Sequence, residues 1–266
     1  MTRFSANLVF LWNEVPFMER FERAAAAGFD AVEYMFPLEH ALGDLRASLD
    51  RWGLRQDLFN LPAGDFAAGE RGIAVAPDRR EEFREGAARS LEAAGILGCG
   101  KINCLVGLRD EGHPFEAQYE TLVENLRWAA ALLGGEGVGL QIELLNPIET
   151  PGFFLDSMPV VRSVLDDVGS PHLSFQLDVY HLHRTHGDAT PAIREMAGRI
   201  GHVQIADAPD RHEPGTGEID FAAVFREVEA AGYDGRIGLE YRPSGPTDDS
   251  FGWMEAFGGR RSMREG

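Results

Sequence analysis

The chain alternates in one way from end to end, and that alternation limits its folds more than any single residue does. Short runs rich in β-branched and aromatic residues are each followed by a longer segment of helical period. Strands are expected over 5–12, 31–36, 55–60, 101–106, 139–145, 173–180, 202–206 and 236–240. Helices are expected from Pro16 to Gly28 and over 39–52, 78–97, 115–133, 158–168, 191–199, 221–231 and 251–257. Pro16 at a first turn, Gly28 just past an end and Asp78 as an N-cap are ordinary helix punctuation. Eight such units in 266 residues match one closed (β/α)8 TIM barrel, which needs roughly 250. A doubly wound open sheet would place a glycine-rich phosphate turn after its first strand, but that position reads Leu11-Trp12-Asn13-Glu14-Val15-Pro16. No linker, repeat or low-complexity stretch divides the chain. A single domain over 1–266 is expected, with 258–266, which carries Arg260, Arg261 and Arg264, as a flexible tail.

Composition narrows the partners. Asp and Glu number 43 against 25 Lys and Arg, a formal charge of −18, and no basic stripe interrupts mid-chain. Duplex DNA binding, which depends on displacing counterions, is therefore not expected. Net acidity also repels an anionic substrate, so local cations or a metal would have to attract one. Two cysteines, Cys99 and Cys104, are too few for a disulfide framework and read as buried free thiols in a reducing cytoplasm. The N-terminus has no signal-peptide pattern, and no stretch approaches the ~20 apolar residues of a membrane span.

In a barrel, chemistry gathers where strands end and the following loops begin. Four successive strands end in polar groups: Gln141-Ile142-Glu143-Leu144, Gln176-Leu177-Asp178-Val179, Val203-Gln204-Ile205-Ala206 and Gly238-Leu239-Glu240-Tyr241. A carboxylate inside an apolar run is costly to bury, and three converging ones repel, so a cation among them is the economical explanation. Taken singly, each acid is more often a salt-bridge partner or a cap, and Gln204 more often still a core hydrogen-bonding group; only the joint pattern points to a metal. Two Glu, one Asp and one Gln form an oxygen-rich set that suits Mg²⁺ or Mn²⁺ better than Zn²⁺.

Other residues are less decisive. His181, three residues after Asp178, reads as a substrate contact or as a plain loop histidine, and His202 shares a strand face with Gln204 and reads as an inner-barrel residue. Arg211 reads as a carboxylate clamp or an exposed loop arginine. Gly215 and Gly217 read as a phosphate turn or simply as a tight turn. The connection over 60–73 is long for a strand-to-helix loop and reads as a lid or as mobile surface.

With these residues in hand, the chain resembles the hydroxypyruvate isomerase family among the xylose isomerase-like TIM barrels. The likeness is carried by Phe4-Ser5-Ala6-Asn7-Leu8, Gly28-Phe29-Asp30-Ala31-Val32-Glu33-Tyr34, Leu58-Phe59-Asn60, Gly64-Asp65, Ala68-Gly69-Glu70-Arg71-Gly72, Gln176-Leu177-Asp178, His202-Val203-Gln204-Ile205-Ala206, Pro209-Asp210-Arg211-His212-Glu213-Pro214 and Gly238-Leu239-Glu240-Tyr241. Ketose 3-epimerases, which usually carry His where Gln204 stands, are a poorer match. The resemblance implies one divalent metal on Glu143, Asp178, Gln204 and Glu240, an acid/base pair of Glu143 and Glu240, and substrate contacts from His181, Arg211 and Asn60. It implies aldose–ketose isomerisation of a small hydroxy-keto acid, either hydroxypyruvate or the four-carbon 2-oxotetronate. A metal-dependent endonuclease and a non-catalytic sugar binder are the readings from other classes. A homodimer is the expectation from the habits of such enzymes.

Overall fold

The computed structural model describes residues 2–257, so the expected tail lies outside the described residues. Eight parallel strands close into one barrel in sequence order: β1 (Arg3–Asn7), β2 (Ala31–Glu33), β3 (Arg55–Asn60), β4 (Lys101–Cys104), β5 (Gly139–Glu143), β6 (Leu173–Asp178), β7 (Ile200–Ile205) and β8 (Arg236–Leu239). The first strand pairs with the last, Ser5 opposite Gly238, so the sheet has no edge. Helices α1 (Arg20–Ala26), α2 (Leu42–Trp52), α3 (Arg80–Leu97), α4 (Phe115–Gly134), α5 (Met158–Val168), α6 (Val179–His186), α7 (Thr190–Glu195) and α8 (Phe221–Ala230) connect them.

Strand alternation sorts the side chains. Phe4, Ala6, Val32, Ile102, Leu140, Ile142, Phe175, Leu177, Val203, Ile205, Ile237 and Leu239 are buried in the apolar core. The intervening residues Ser5, Asn7, Glu33, Asn103, Glu143, Gln176, His202 and Gln204 are also buried and hydrogen-bond to one another across the barrel, and Asp178 is buried beside them. The upper lumen is thus a polar network. Gly238 makes room for it, since a Cβ there would lie 2.3 Å from Glu33 Oε1.

Three differences from the sequence reading have local causes. The apolar run after Asn7 is a buried turn rather than the rest of β1. Leu11 N donates to Asn7 O, Trp12 adopts φ 55°, and Trp12 N donates to Thr247 Oγ1 at 2.8 Å. Asp78 lies in a short 3-10 turn before α3 and pairs with His113 rather than capping the helix. Helix α6 was not foreseen. Asp178 caps it by accepting from His181 N at 3.1 Å, and left-handed Gly187 ends it. The long connection after β3 is docked on β4 and the segment that follows it, with Leu61 N donating to Asn103 O and Val75 N to Val106 O. Cys99 and Cys104 are buried and unpaired, and burial pushes the Cys99 thiol up to about 12. No helix among the described residues is long and apolar enough to cross a membrane.

Candidate active site

Register brings the four strand-end groups together. Glu143 lies opposite Gln176, Asp178 opposite Gln204, and Gln204 opposite Gly238, two residues before Glu240. Oxygens of Asp178 and Glu240 and a ring nitrogen of His181 fall within 4.8 Å of one another, close enough to share a metal ion. Glu143, His181 and Glu240 border a cleft of about 650 Å³ at the C-terminal mouth, whose walls also include Phe10, Asn60, Phe66 and Arg211, whereas Asp178 and Gln204 are buried and form no part of its wall.

Each acid is held in a different way. Glu143 accepts from Asn103 Nδ2 at 2.7 Å and from Gln176 Nε2 at 3.1 Å. Burial and then the charge of Glu240 push its carboxyl up to about 8, against those two hydrogen bonds and Arg211. Asp178 is raised well above the usual carboxylate range, by burial and then by Glu240. Its Oδ2 is buried without a hydrogen-bond partner, with Arg211 Nη2 at 3.7 Å, His181 Nε2 at 3.6 Å and the Glu240 carboxylate beside the group. Glu240 receives Arg211 Nη2 on Oε2 at 2.6 Å. An orphaned carboxylate oxygen among acids that resist ionisation is the chemistry a divalent cation would satisfy.

Below them the Gln204 amide is fixed at both ends. Its Nε2 donates to Glu33 Oε1 at 2.7 Å, and its Oε1 accepts from Gln176 Nε2 at 2.6 Å. Glu33, fully buried, also accepts from Ser5, Asn7 and His202 Nε2. Burial would raise the Glu33 carboxyl, but His202 and these hydrogen bonds hold it below the usual range. Lys101 Nζ sits 3.2 Å from His202 Nδ1 and 3.5 Å from Asp57, so a cation already faces the Glu33, Asp57 and His202 cluster.

His181 stands on the first turn of α6. Its Nδ1 accepts from Asn146 N at 3.1 Å, so the neutral ring carries its proton on Nε2 and presents a donor to the acids. Burial and then Arg211 hold its pKa well below the ordinary value, so the ring stays neutral. Arg211, left-handed at φ 60°, packs over Phe10 and Tyr180 and donates to Glu149 and Glu240. Asn60 borders the cleft and accepts from Asn103 at 3.3 Å. Gly215 N and Gly217 N both donate to Asp207 Oδ2, which leaves a folded loop where the sequence allowed a phosphate turn.

Sequence reasoning passed over Glu33, Asn103 and Glu149. Glu33 and Asn103 sit on strands with the same alternation as the chosen four, so extending the strand-end test to β2 and β4 would have found them. Glu149 lies in an irregular loop, where it lines the cleft and accepts from Arg211 and Tyr180.

Residues 21–257 match the family model described as xylose isomerase-like TIM barrel. The chain is 46% identical over 257 residues to "Hydroxypyruvate isomerase" of Escherichia coli (strain K12), covering 97% of this chain and all of that one. It is 42% identical over 260 residues to "2-oxo-tetronate isomerase" of Cupriavidus necator, covering 98% and 100%. A solved Brucella melitensis structure titled "AP endonuclease, family 2" superposes with a TM-score of 0.93 at 40% identity, covering 97% of this chain and 99% of that one. Its title and the names of the two isomerases differ, while fold and length agree throughout. The chain belongs to the hydroxypyruvate isomerase and 2-oxo-tetronate isomerase family of xylose isomerase-like TIM barrels.

Proposed function

We infer that the protein interconverts hydroxypyruvate and tartronate semialdehyde with one divalent metal, Mg²⁺ or Mn²⁺, held by Glu143, Asp178, Gln204 and Glu240. The four-carbon 2-oxotetronate, converted to its 3-oxo isomer, is the alternative substrate. The observation that carries this reading is the orphaned Asp178 oxygen beside the carboxylates of Glu143 and Glu240, which line the cleft. The donor set is oxygen-rich, and His181 presents a proton rather than a lone pair, which disfavours Zn²⁺. When bound, the metal would polarise the substrate carbonyl and neighbouring hydroxyl and stabilise negative charge as it develops.

The chain's own groups account for the proton movements. The C3–H bond breaks toward the carboxylate of Glu143 or Glu240, its electron pair forms the C2–C3 double bond, and the carbonyl electrons move to O2 to give an enediolate. The O3–H proton then passes to O2 as C3=O forms. The C2–C3 electron pair takes a proton at C2 from the other glutamic acid, and the two glutamates exchange protons with solvent to restore the starting state. Without a metal, burial and the Glu240 charge push the Glu143 carboxyl up to about 8, and beside a bound cation it would be drawn back to the carboxylate that ligates the metal and accepts a proton. His181 Nε2–H and Arg211 supply donors to substrate oxygens, and Asn60 adds an amide at the wall.

The endonuclease reading has less support, because a nuclease needs a cationic track and this chain carries −18. Buried free thiols support a cytoplasmic setting. The test is turnover by metal-stripped protein on hydroxypyruvate and on 2-oxotetronate, with Mg²⁺ or Mn²⁺ restored. Metal-dependent conversion of either supports the reaction class, and the ratio of kcat/KM values names the substrate. Absence of turnover on both, with metal bound, overturns the reading.

A further inference from the structure

A short 2-oxo acid carries a carboxylate that the metal-side groups do not account for. Arg211 cannot receive it directly, since its guanidinium already faces Glu149, Asp178 and Glu240. Two other arginines border the cleft, Arg242 and Arg71. Arg242 is exposed at the rim. Arg71 is half-buried, and no carboxylate lies within 4 Å of it among the described residues.

Its surroundings hold it in that state. The neighbouring acid, Glu70, is turned away to Arg79 and to the backbone N–H of Asp65. The guanidinium lies over the Phe66 ring at 4.1 Å, and Phe66 packs edge-on against Phe36 at 5.1 Å. One terminal nitrogen, Nη1, donates to the carbonyls of Phe66 and Glu70 at 3.2 and 2.7 Å, while Nη2 and Nε make no hydrogen bond among the described residues. Gly72 fixes the backbone beside it. At φ 107° a Cβ there would lie 1.8 Å from Leu105 O, so only glycine lets this segment press against the end of β4. A ring and two carbonyls thus pin one edge of a guanidinium, and the other edge stays open. That is a pre-organised fork for a planar anion.

We propose that Arg71 binds the substrate carboxylate and selects 2-oxo acids over neutral ketoses of the same length. This rests on the isomerase reading above for the identity of the substrate, and on the cleft geometry alone for the anion site. A site built around a charged partner discriminates strongly against an analogue that lacks it, because the guanidinium is then left partly desolvated with nothing to pair.

The experiment compares wild type, Arg71→Met and Arg71→Lys as Mn²⁺-loaded protein. The substrates are hydroxypyruvate and dihydroxyacetone, which carries a hydroxymethyl group in place of the carboxylate. Arg71→Met should lower kcat/KM on hydroxypyruvate by about 10- to 150-fold, mainly through KM, and change dihydroxyacetone turnover by less than about threefold. Arg71→Lys should recover part of the loss as a point charge. Calorimetric titration with glycolate gives a readout free of turnover, and its affinity should fall in parallel in Arg71→Met. Equal losses on both substrates, or unchanged glycolate affinity, overturn the proposal. If wild type turns over neither hydroxypyruvate nor 2-oxotetronate, the isomerase reading fails and the glycolate titration alone judges Arg71. Failure of wild type to bind glycolate also overturns it.

Discussion

Arg211→Met in metal-free protein isolates the electrostatics of the site. Arg211 is 8% exposed and, among the described residues, is the only cation within 4 Å of Asp178 and Glu240, the nearby His181 ring being neutral. Methionine keeps most of the stem packing on Phe10 and Tyr180 and removes the charge. Removing one member of a buried ion pair costs about 3–5 kcal/mol, because the remaining charges lose their partner. At about 2.1 cal/mol/K per residue, 266 residues unfold with an entropy of about 0.56 kcal/mol/K, so Tm should fall by about 5–9 °C. The direction with pH is also determined. Glu143, at about 8, and Asp178 have folded-state pKa values above their unfolded ones, so their contribution to stability is lost as pH rises through the folded values. Arg211 lowers both, and its removal raises them further, so the deficit should be larger near about pH 9 than near about pH 6. Calorimetry with EDTA-treated protein measures this, and added Mn²⁺ should recover part of the loss. A Tm within about 2 °C of wild type at both pH values, or a deficit that shrinks as pH rises, would refute the account.

The other predictions concern chemistry, orientation and backbone. Glu143→Gln and Glu240→Gln should each lower kcat by about 10²- to 10⁴-fold with the fold retained by circular dichroism, and near-normal turnover removes that residue from the acid/base role. Glu33→Ala frees the Gln204 amide to rotate, so Mn²⁺ affinity by titration should weaken about 10- to 100-fold, and an unchanged Kd would show that Glu33 does not orient it. Gly72→Ala forces a Cβ against Leu105 O at a left-handed backbone position, so it should cost about 1–3 kcal/mol, read as a Tm drop of about 2–5 °C.

Much of the molecule was legible because barrel strands obey a period of two and helices one of 3.6. β3 and α5 fall where the pattern put them. Glu143, Asp178, Gln204 and Glu240 were visible as polar breaks in apolar runs at four consecutive strand ends. What misled was local apolarity without periodicity. Leu8, Leu11 and Trp12 are as buried as strand residues yet lie in a turn, since burial alone does not distinguish a packed loop from a strand. Helix α6 begins directly at the end of β6 with no intervening loop, so Val179 and Tyr180 read as strand and the histidines after them as loop.

By itself the sequence determined the barrel, the strand ends that carry oxygen donors and the excess of acid, because these depend on residue type and spacing along one element. Only the tertiary structure decided how distant segments share charge. Glu33 on β2 orients Gln204 on β7, Asn103 on β4 orients Glu143 on β5, and His181 is turned by Asn146 into a donor. Arg211 and Arg71 look alike in sequence, each a loop arginine beside polar neighbours. One meets three carboxylates and the other a phenyl ring and two carbonyls, because loop packing sets the partners of long flexible side chains and local sequence does not.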